Sequence, residues 1–359
     1  MEATLHALFS TLPCVVCLLW TVLLFDEARC RRVGALRILT AFALTCSVLY
    51  FCHALFFNGE ETPLVRTLYR GANLAVYPLF WLYIRALSES APLPLRACWV
   101  LLPALAGVLL SAIAFACGAD TDFADLPLRA IFLVEVIWVC IAGIRRLNAY
   151  EHQVVNYYAD TEGKSLAPIR NLLVLFVLIS AFSALVNFLG RSLFTPTLLL
   201  IIPSVLFSAL LFSIFFAGRR IEYTAGEVSG PEELPSGEAD AASEEMQELI
   251  LRIDALMENR QLFRTPGLKI TDLATELGTN RTYVSNCINR MKGQSFSDFV
   301  NAYRVRYAQH QMRWNDSGKT IAQIGAEAGF TGETSFFRNF KKVTGQTPRE
   351  WLTAQGKQD

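Results

Sequence analysis

No lysine or arginine precedes the first long apolar run of this 359-residue chain. The basic head of a cleaved secretory signal is therefore missing, and the cluster Arg29, Arg31, Arg32 follows the run instead, as for an uncleaved span. Histidine is scarce. His6, His53, His152 and His310 are scattered, and there is no nucleophile–base–orienter grouping and no glycine-rich phosphate loop. An enzyme is therefore not expected, and no cofactor is implied. Eight of the nine cysteines lie in the apolar half, and no CxxC has a matching second pair. Cys14 and Cys17, within a membrane-like run and without histidine nearby, read as small apolar residues and not as a metal or redox centre. Internal repeats and matched broken-helix pairs are also lacking, which argues against a transporter.

What is present is unevenly distributed. The formal net charge is zero and the mean hydropathy is +0.35, but residues 1–220 are mostly long apolar runs. Residues 221–258 hold eleven Asp/Glu against one Arg. From Arg260 onward, fifteen Lys/Arg face eight Asp/Glu, a balance of +7. A membrane half, an acidic linker and a basic domain are three different materials.

The apolar half reads as seven segments of about 20 residues, the length that crosses a ~30 Å hydrocarbon core: roughly 5–25, 36–57, 64–87, 97–117, 128–147, 170–190 and 197–217. The ends that follow spans one, three, five and seven carry Arg29, Arg31, Arg32, Arg37, Arg85, Arg96, Arg145, Arg146, Lys164, Arg170, Arg219 and Arg220. The opposite ends carry Arg66, Arg70, Arg129 and Arg191. Twelve against four puts the first set in the cytoplasm, the amino terminus outside and the carboxy-terminal domain inside. Polar residues within spans are costly. Arg70, Asn73, Glu135, His53 and Asn187 all fall in the outward half, so two readings stand: an outward pocket for a small ligand, or an internal Arg70–Glu135 pair that locks the bundle. Tyr77, Trp81, Tyr83 and Trp138 read as packing or interface aromatics.

Residues 221–243 are rich in Gly, Pro, Ser and acid without an apolar period, as in a flexible tether. From Ser243 the pattern changes. Met246, Leu249, Ile250, Ile253, Leu256 and Met257 line one face of an amphipathic helix.

Residues 244–359 contain two helix-turn-helix units. In the first, Thr271 is expected to cap ITDLATELG, with Ala274 and Gly278 four apart for close packing and a left-handed turn. The second helix, NRTYVSNCINRMKG, directs Val284 and Ile288 inward. In the second unit Thr320 and Gln323 form a capping box, and Ile321 and Ile324 face inward. Gly325 and Gly329 repeat the four-residue spacing, and Phe336 and Phe340 are core. Thr347, Pro348 and Glu350 then start a last helix. Between the units, SFSDFVNAYRVRYAQHQMR is a helix of about 27 Å, at 1.5 Å per residue. That length can hold two recognition helices about one DNA turn apart.

The run KTIAQIGAEAGFTGETSFFRNFKKVTGQTPREW closely resembles the signature of AraC/XylS-type transcription regulators. TNRTYVSNCINRMKGQSFSDFVNAYRVRYA resembles the first half of the same domain. Gly325 stands where alanine is usual, and Trp351-Leu352 replaces the usual aromatic-arginine ending. The resemblance implies seven helices and sequence-specific binding of double-stranded DNA. By position in the motif, Arg281, Thr282, Ser285, Asn286 and Asn289 face DNA in the first unit, and Glu333, Thr334 and Arg338 in the second. Lys292, Lys341, Lys342 and Arg349 would meet phosphates. The whole architecture is similar to membrane-anchored members with a seven-span sensor half in a bacterial inner membrane.

The expectation is therefore an all-α chain: a seven-helix bundle over residues 1–220, a linker over 221–243, and a DNA-binding domain over 244–359. It would act as a homodimeric one-component regulator embedded in the lipid bilayer, gated by a signal sensed by the bundle, for which an unidentified small molecule is one candidate. A passive membrane tether, or a membrane enzyme or transporter with a regulatory tail, are the competing readings.

Overall fold

The computed structural model describes residues 2–31, 33–60, 62–89, 92–117, 125–189, 197–221, 225–228, 241–314 and 318–355. Among them, helices dominate and there is no strand, only an isolated antiparallel bridge between Tyr158 and Lys269. The chain divides into two compact units, Met1–Tyr150 with Leu166–Glu227, and Glu151–Ser165 with Val228–Asp359. The segment 151–165, which the sequence places inside the apolar half, thus packs with the carboxy-terminal residues.

In the first unit each of the seven expected segments is a helix: α1 (Glu2–Arg31), α2 (Gly34–Phe57), α3 (Pro63–Ser88), α4 (Leu102–Ala116) entered through a 3₁₀ stretch Leu95–Leu101, α5 (Asp125–Tyr157), α6 (Ala167–Leu189) and α7 (Thr197–Arg220). The start of α3 is set locally. The Thr62 hydroxyl accepts from Val65 N–H at 3.3 Å, and Pro63 takes the first helical position, where no N–H is needed. Among the described residues, five helical stretches are long and apolar enough to cross a membrane: Thr4–Arg31, Gly34–Phe57, Leu95–Ala116, Pro127–Tyr157 and Ile201–Arg220. Ala167–Phe182 of α6 is a shorter apolar stretch, and α3, which carries Arg66, Arg70 and Arg85, is not among the five.

α1 packs on α2 and α7, and α2 on α3. Phe42, Phe80, Phe176 and Phe215 meet at the centre, with Phe42 5.2 Å from Phe80 and 5.8 Å from Phe215. Outside this core, Leu18, Val22, Phe25, Leu109, Ile113, Val134, Leu178 and Ile202 are exposed. Together they give the first unit an extensive apolar exterior. At one end, Glu27 of α1 pairs with Arg31 and with Arg219 of α7, at 3.1 and 2.6 Å. Glu89 pairs with Arg85 of α3 and Arg146 of α5. The carboxy-terminal ends of α1 and α7 thus lie together, and the end of α3 lies against the middle of α5 at Arg146. Trp81 and Trp138 pack edge-on at 5.0 Å, and Tyr77 stacks on Phe176, as read from sequence.

After the single turn α8 (Ala225–Val228), the second unit contains α9 (Ala241–Asn259), α10 (Ile270–Leu277), α11 (Arg281–Lys292), α12 (Phe296–Arg313), α13 (Ile321–Glu327), α14 (Glu333–Thr344) and α15 (Pro348–Gln355). Within the stretch read as a linker, residues 222–224 and 229–240 lie outside the described residues. The stripe Met246, Leu249, Ile250, Ile253 and Met257 is buried, and α9 packs on α10 and α11. Val305, Ala308, Met312, Ile324, Phe330, Phe336, Phe340 and Trp351 form a second core across α12–α15.

The capping boxes at Thr320/Gln323 and Thr347/Glu350 form as read. The α10 cap does not. Its helix begins one residue after Lys269, whose N–H donates to Asp272 Oδ2 at 2.9 Å. Thr271 lies inside the first turn and its carbonyl accepts from the Thr275 hydroxyl. Asp272, at the third helical position, instead reaches back to the N-cap N–H of Lys269, as the acidic residue of a capping box does.

Candidate nucleic-acid interface

Each helix-turn-helix is built by a turn that the backbone can make at low cost. Gly278, between α10 and α11, has φ +67°, and Gly329, between α13 and α14, has φ +97°, both left-handed values that favour glycine. At Gly329 a side chain is also barred by space, since a Cβ would stand 2.7 Å from the Phe263 and Arg264 carbonyl oxygens. At Gly325, where the family commonly has alanine, the Phe336 ring fills the methyl's place, 2.7 Å from where a Cβ would be. Asn280 caps α11, its Oδ1 accepting from Tyr283 N–H at 2.7 Å.

The two recognition helices present the expected residues in different degrees. On α14, Glu333, Thr334 and Arg338 are exposed, as are Lys341, Lys342 and Arg349 nearby. On α11, Arg281, Thr282, Ser285, Asn286 and Asn289 are only partly exposed. The Arg281 guanidinium sits over the Tyr157 ring at 5.4 Å, and Asn289 Nδ2 donates to Ser285 Oγ at 3.4 Å. Two of the expected phosphate-binding lysines are already paired: Lys292 with Asp254 at 2.8 Å and Lys342 with Asp298 at 2.5 Å.

A layer of buried polar side chains beneath these helices was not read from the sequence. Ser297, Asn301 and Arg304 occupy one face of α12 and are buried, as are Ser335 and Asn339 of α14. Arg304 Nε donates to the Phe263 carbonyl at 2.7 Å and Nη2 to the Thr265 carbonyl at 2.9 Å. Burial pulls its pKa down to about 10, and the nearby Asp160 carboxylate opposes that shift. At neutral pH it is charged. A spacing of four and three residues along α12 marks the shared face, but the same spacing describes any solvated helix face, so it is legible only in retrospect.

The partner of this layer is the segment after α5. Ala159 N–H donates to the Leu268 carbonyl at 3.0 Å, and the Ala159 carbonyl accepts from Ser297 Oγ and Asn301 Nδ2, both at 2.9 Å. Asp160 Oδ1 accepts from Ser335 Oγ at 2.9 Å, and Oδ2 from the Thr331 N–H at 3.3 Å and the Thr331 hydroxyl. Tyr158, Ala159 and Asp160 are buried.

In the first unit the residues read as a ligand set are dispersed in role. Arg70 is buried and donates to Ser111 Oγ at 3.1 Å. Glu135 is buried, and neither carboxylate oxygen has a hydrogen-bond partner among the described residues. His53 packs edge-on to Tyr69 at 5.1 Å, and Asn73 is partly buried. The side chain of Asn187 lies outside the described residues. Among the described residues no group of His, Cys, Asp and Glu could hold a metal ion.

Residues 273–354, spanning both turns and both recognition helices, match the family model described as a helix-turn-helix domain. The carboxy-terminal domain is of the AraC helix-turn-helix type. An uncharacterized HTH-type transcriptional regulator of Staphylococcus aureus (strain MSSA476) is 30% identical over 100 residues, which is 28% of this chain and 13% of that protein. The HTH-type regulator YtdP of Bacillus subtilis (strain 168) is 30% identical over 81 residues, 23% of this chain and 10% of its own length. The chain thus matches only about an eighth of the length of the first of these relatives. A solved structure from Listeria innocua, of a protein of unknown function, aligns at 26% identity over 29% of this chain and 95% of that one, with a TM-score of 0.27. The relatives that match this domain are described as HTH-type transcriptional regulators.

Proposed function

We propose that the chain is a membrane-embedded transcription regulator that binds specific double-stranded DNA through α11 and α14. The observation that carries this reading is the pair of complete helix-turn-helix units joined by the single helix α12, with Glu333, Thr334 and Arg338 exposed on the second recognition helix. Arginine reads guanine, and asparagine reads adenine, through paired hydrogen bonds in the major groove, which gives Arg281, Asn286 and Arg338 their roles. Lys341 and Arg349, exposed and basic, supply phosphate contacts.

The apolar exterior of the first unit and the five long apolar helices among its described residues support insertion in a bilayer, and α3 and α6 would complete seven crossings. The arginines at the carboxy-terminal ends of α1, α3 and α7, with Arg145 and Arg146 where the apolar part of α5 ends, support the cytoplasmic placement of that side, and so of the DNA-binding domain. Glu135, buried without a hydrogen-bond partner among the described residues, is the group through which a ligand would be sensed. The regulator acts as a homodimer, because two linked domains gain effective concentration on a two-site operator.

The test is selection of genomic DNA by the full-length protein in lipid nanodiscs, followed by binding to the enriched fragment against salt. Affinity should fall steeply as salt rises, and enrichment should converge on one sequence. Equal retention of all fragments would leave only a nonspecific basic surface.

A further inference from the structure

The segment between α5 and α6 belongs to the DNA-binding unit by its contacts, although it is spliced between two apolar helices. Its grip is specific. The backbone of Tyr158 and Ala159 pairs with Leu268 and Lys269, ahead of the first helix-turn-helix. The Ala159 carbonyl is held by two side chains of the joining helix α12. Asp160 takes the first turn of α14, bonding Thr331 and Ser335. Glu162 lies 2.8 Å from where a Cβ on Gly332 would be, beside the same turn. Tyr157 covers the Arg281 guanidinium at the first residue of α11.

These positions coincide with the places where DNA would be met. A recognition helix contacts base edges with its amino-terminal residues, and the free N–H groups and positive dipole end there favour phosphate. In this structure two carboxylates stand at that end of α14, and an aromatic ring lies on the leading arginine of α11. Thr331 and Ser335 donate to Asp160 instead of to a phosphate, and a phosphate approaching the same turn would meet like charge. α14 keeps Glu333, Thr334 and Arg338 open, so the segment closes one flank of the reading surface and leaves the other.

We propose that Tyr157–Glu162 is an autoinhibitory latch: it competes with DNA for the leading turns of α11 and α14, and tight DNA binding requires its release. The inference rests on the DNA-binding reading above. Because the latch is continuous with α5 and α6, movement of either helix in response to a signal would pull on it. The reciprocity of linked equilibria then requires that DNA loosen the latch by the same factor that the latch weakens DNA binding.

The experiment uses the full-length chain in nanodiscs and three forms: wild type, Tyr157→Ala/Asp160→Ala/Glu162→Ala, and Ser297→Ala/Asn301→Ala. The last removes the donors to the Ala159 carbonyl without altering charge, so it separates release of the latch from simple loss of negative charge. Binding to the selected fragment at fixed salt should tighten at least about tenfold in both variants. In the wild type, adding DNA should raise amide exchange at residues 158–162. Unchanged or weaker binding by variants whose latch exchanges freely would overturn the proposal, and would make the segment a structural brace of the second unit alone. Wild-type DNA binding with the Ala159 amide still protected would overturn it as well. If no form retains any fragment at low salt, the DNA-binding reading itself fails, an outcome distinct from equal retention by all three.

Discussion

Arg304 is, among the described residues, the largest fully buried side chain, and it holds two carbonyls in the loop between α9 and α10. Arg304→Met would strand both oxygens, and an unsatisfied buried acceptor costs about 1–3 kcal/mol. The expected loss is about 2–4 kcal/mol in total, read as a lower urea midpoint by pulse proteolysis of the full chain. Arg304→Lys should recover less than half of it, because an ammonium cannot fork to two carbonyls. The two hinge glycines separate conformational strain from collision. Gly278→Ala meets nothing within 4 Å and should cost about 1 kcal/mol for its left-handed backbone. Gly329→Ala meets two backbone oxygens and should cost clearly more. Equal losses in the same unfolding assay would contradict this reading of Gly329. For binding, Arg338→Ala should cost about 1–3 kcal/mol and relax specificity at one base position, measured on a panel of single-base variants of the selected fragment.

Among the elements, α14 and α15 give the sharpest expectations. Lys341 is exposed, whereas Lys342 is paired to Asp298. Lys341→Ala should therefore lower the slope of log affinity against log salt by about 1, and Lys342→Ala by less, since part of its charge is already spent within the domain. The α15 cap is sensitive to acid. Hydrogen bonds from Thr347 hold the Glu350 carboxyl below its ordinary pKa. The box therefore contributes stability above the ordinary carboxylate range and loses it as pH falls through the depressed value. Amide exchange along Pro348–Gln355 should quicken on acidification, and Glu350→Gln should abolish that dependence. The boxes at Thr320 and Thr347 were legible because a capping box is a local rule of four residues. The α10 cap was misread for the same reason: Thr271 and Asp272 are adjacent, and only the backbone geometry decides which one serves the first N–H.

For the whole molecule, the arrangement of basic ends predicts its topology. Reporter fusions after Arg220 and at residue 355 should report the cytoplasmic side, and a fusion after Phe57 the outer side. An outer location for residue 355 would put the domain beyond the chromosome. Glu135→Gln should change signal-dependent transcription while leaving the affinity for the selected fragment unaltered; identical transcription with and without the substitution would favour a passive tether. The contrast in material between the halves was readable from composition, because apolar runs and charged segments favour different solvents. The assignment of 151–165 to the second unit was not, because nothing in the sequence of a short polar connection says which surface it will cover.

From its sequence alone the chain determined what depends on neighbours within about seven residues: helix type, most caps, the glycine turns and the apolar stripes. These follow from periodicity and local hydrogen bonding, which are short-range. Only the tertiary structure decided which polar groups meet across 138 to 175 residues, as Ser297 meets Ala159 and Ser335 meets Asp160. Burial of a polar side chain is tolerated only where a distant partner satisfies it, and such partners are chosen by packing, which no local pattern records.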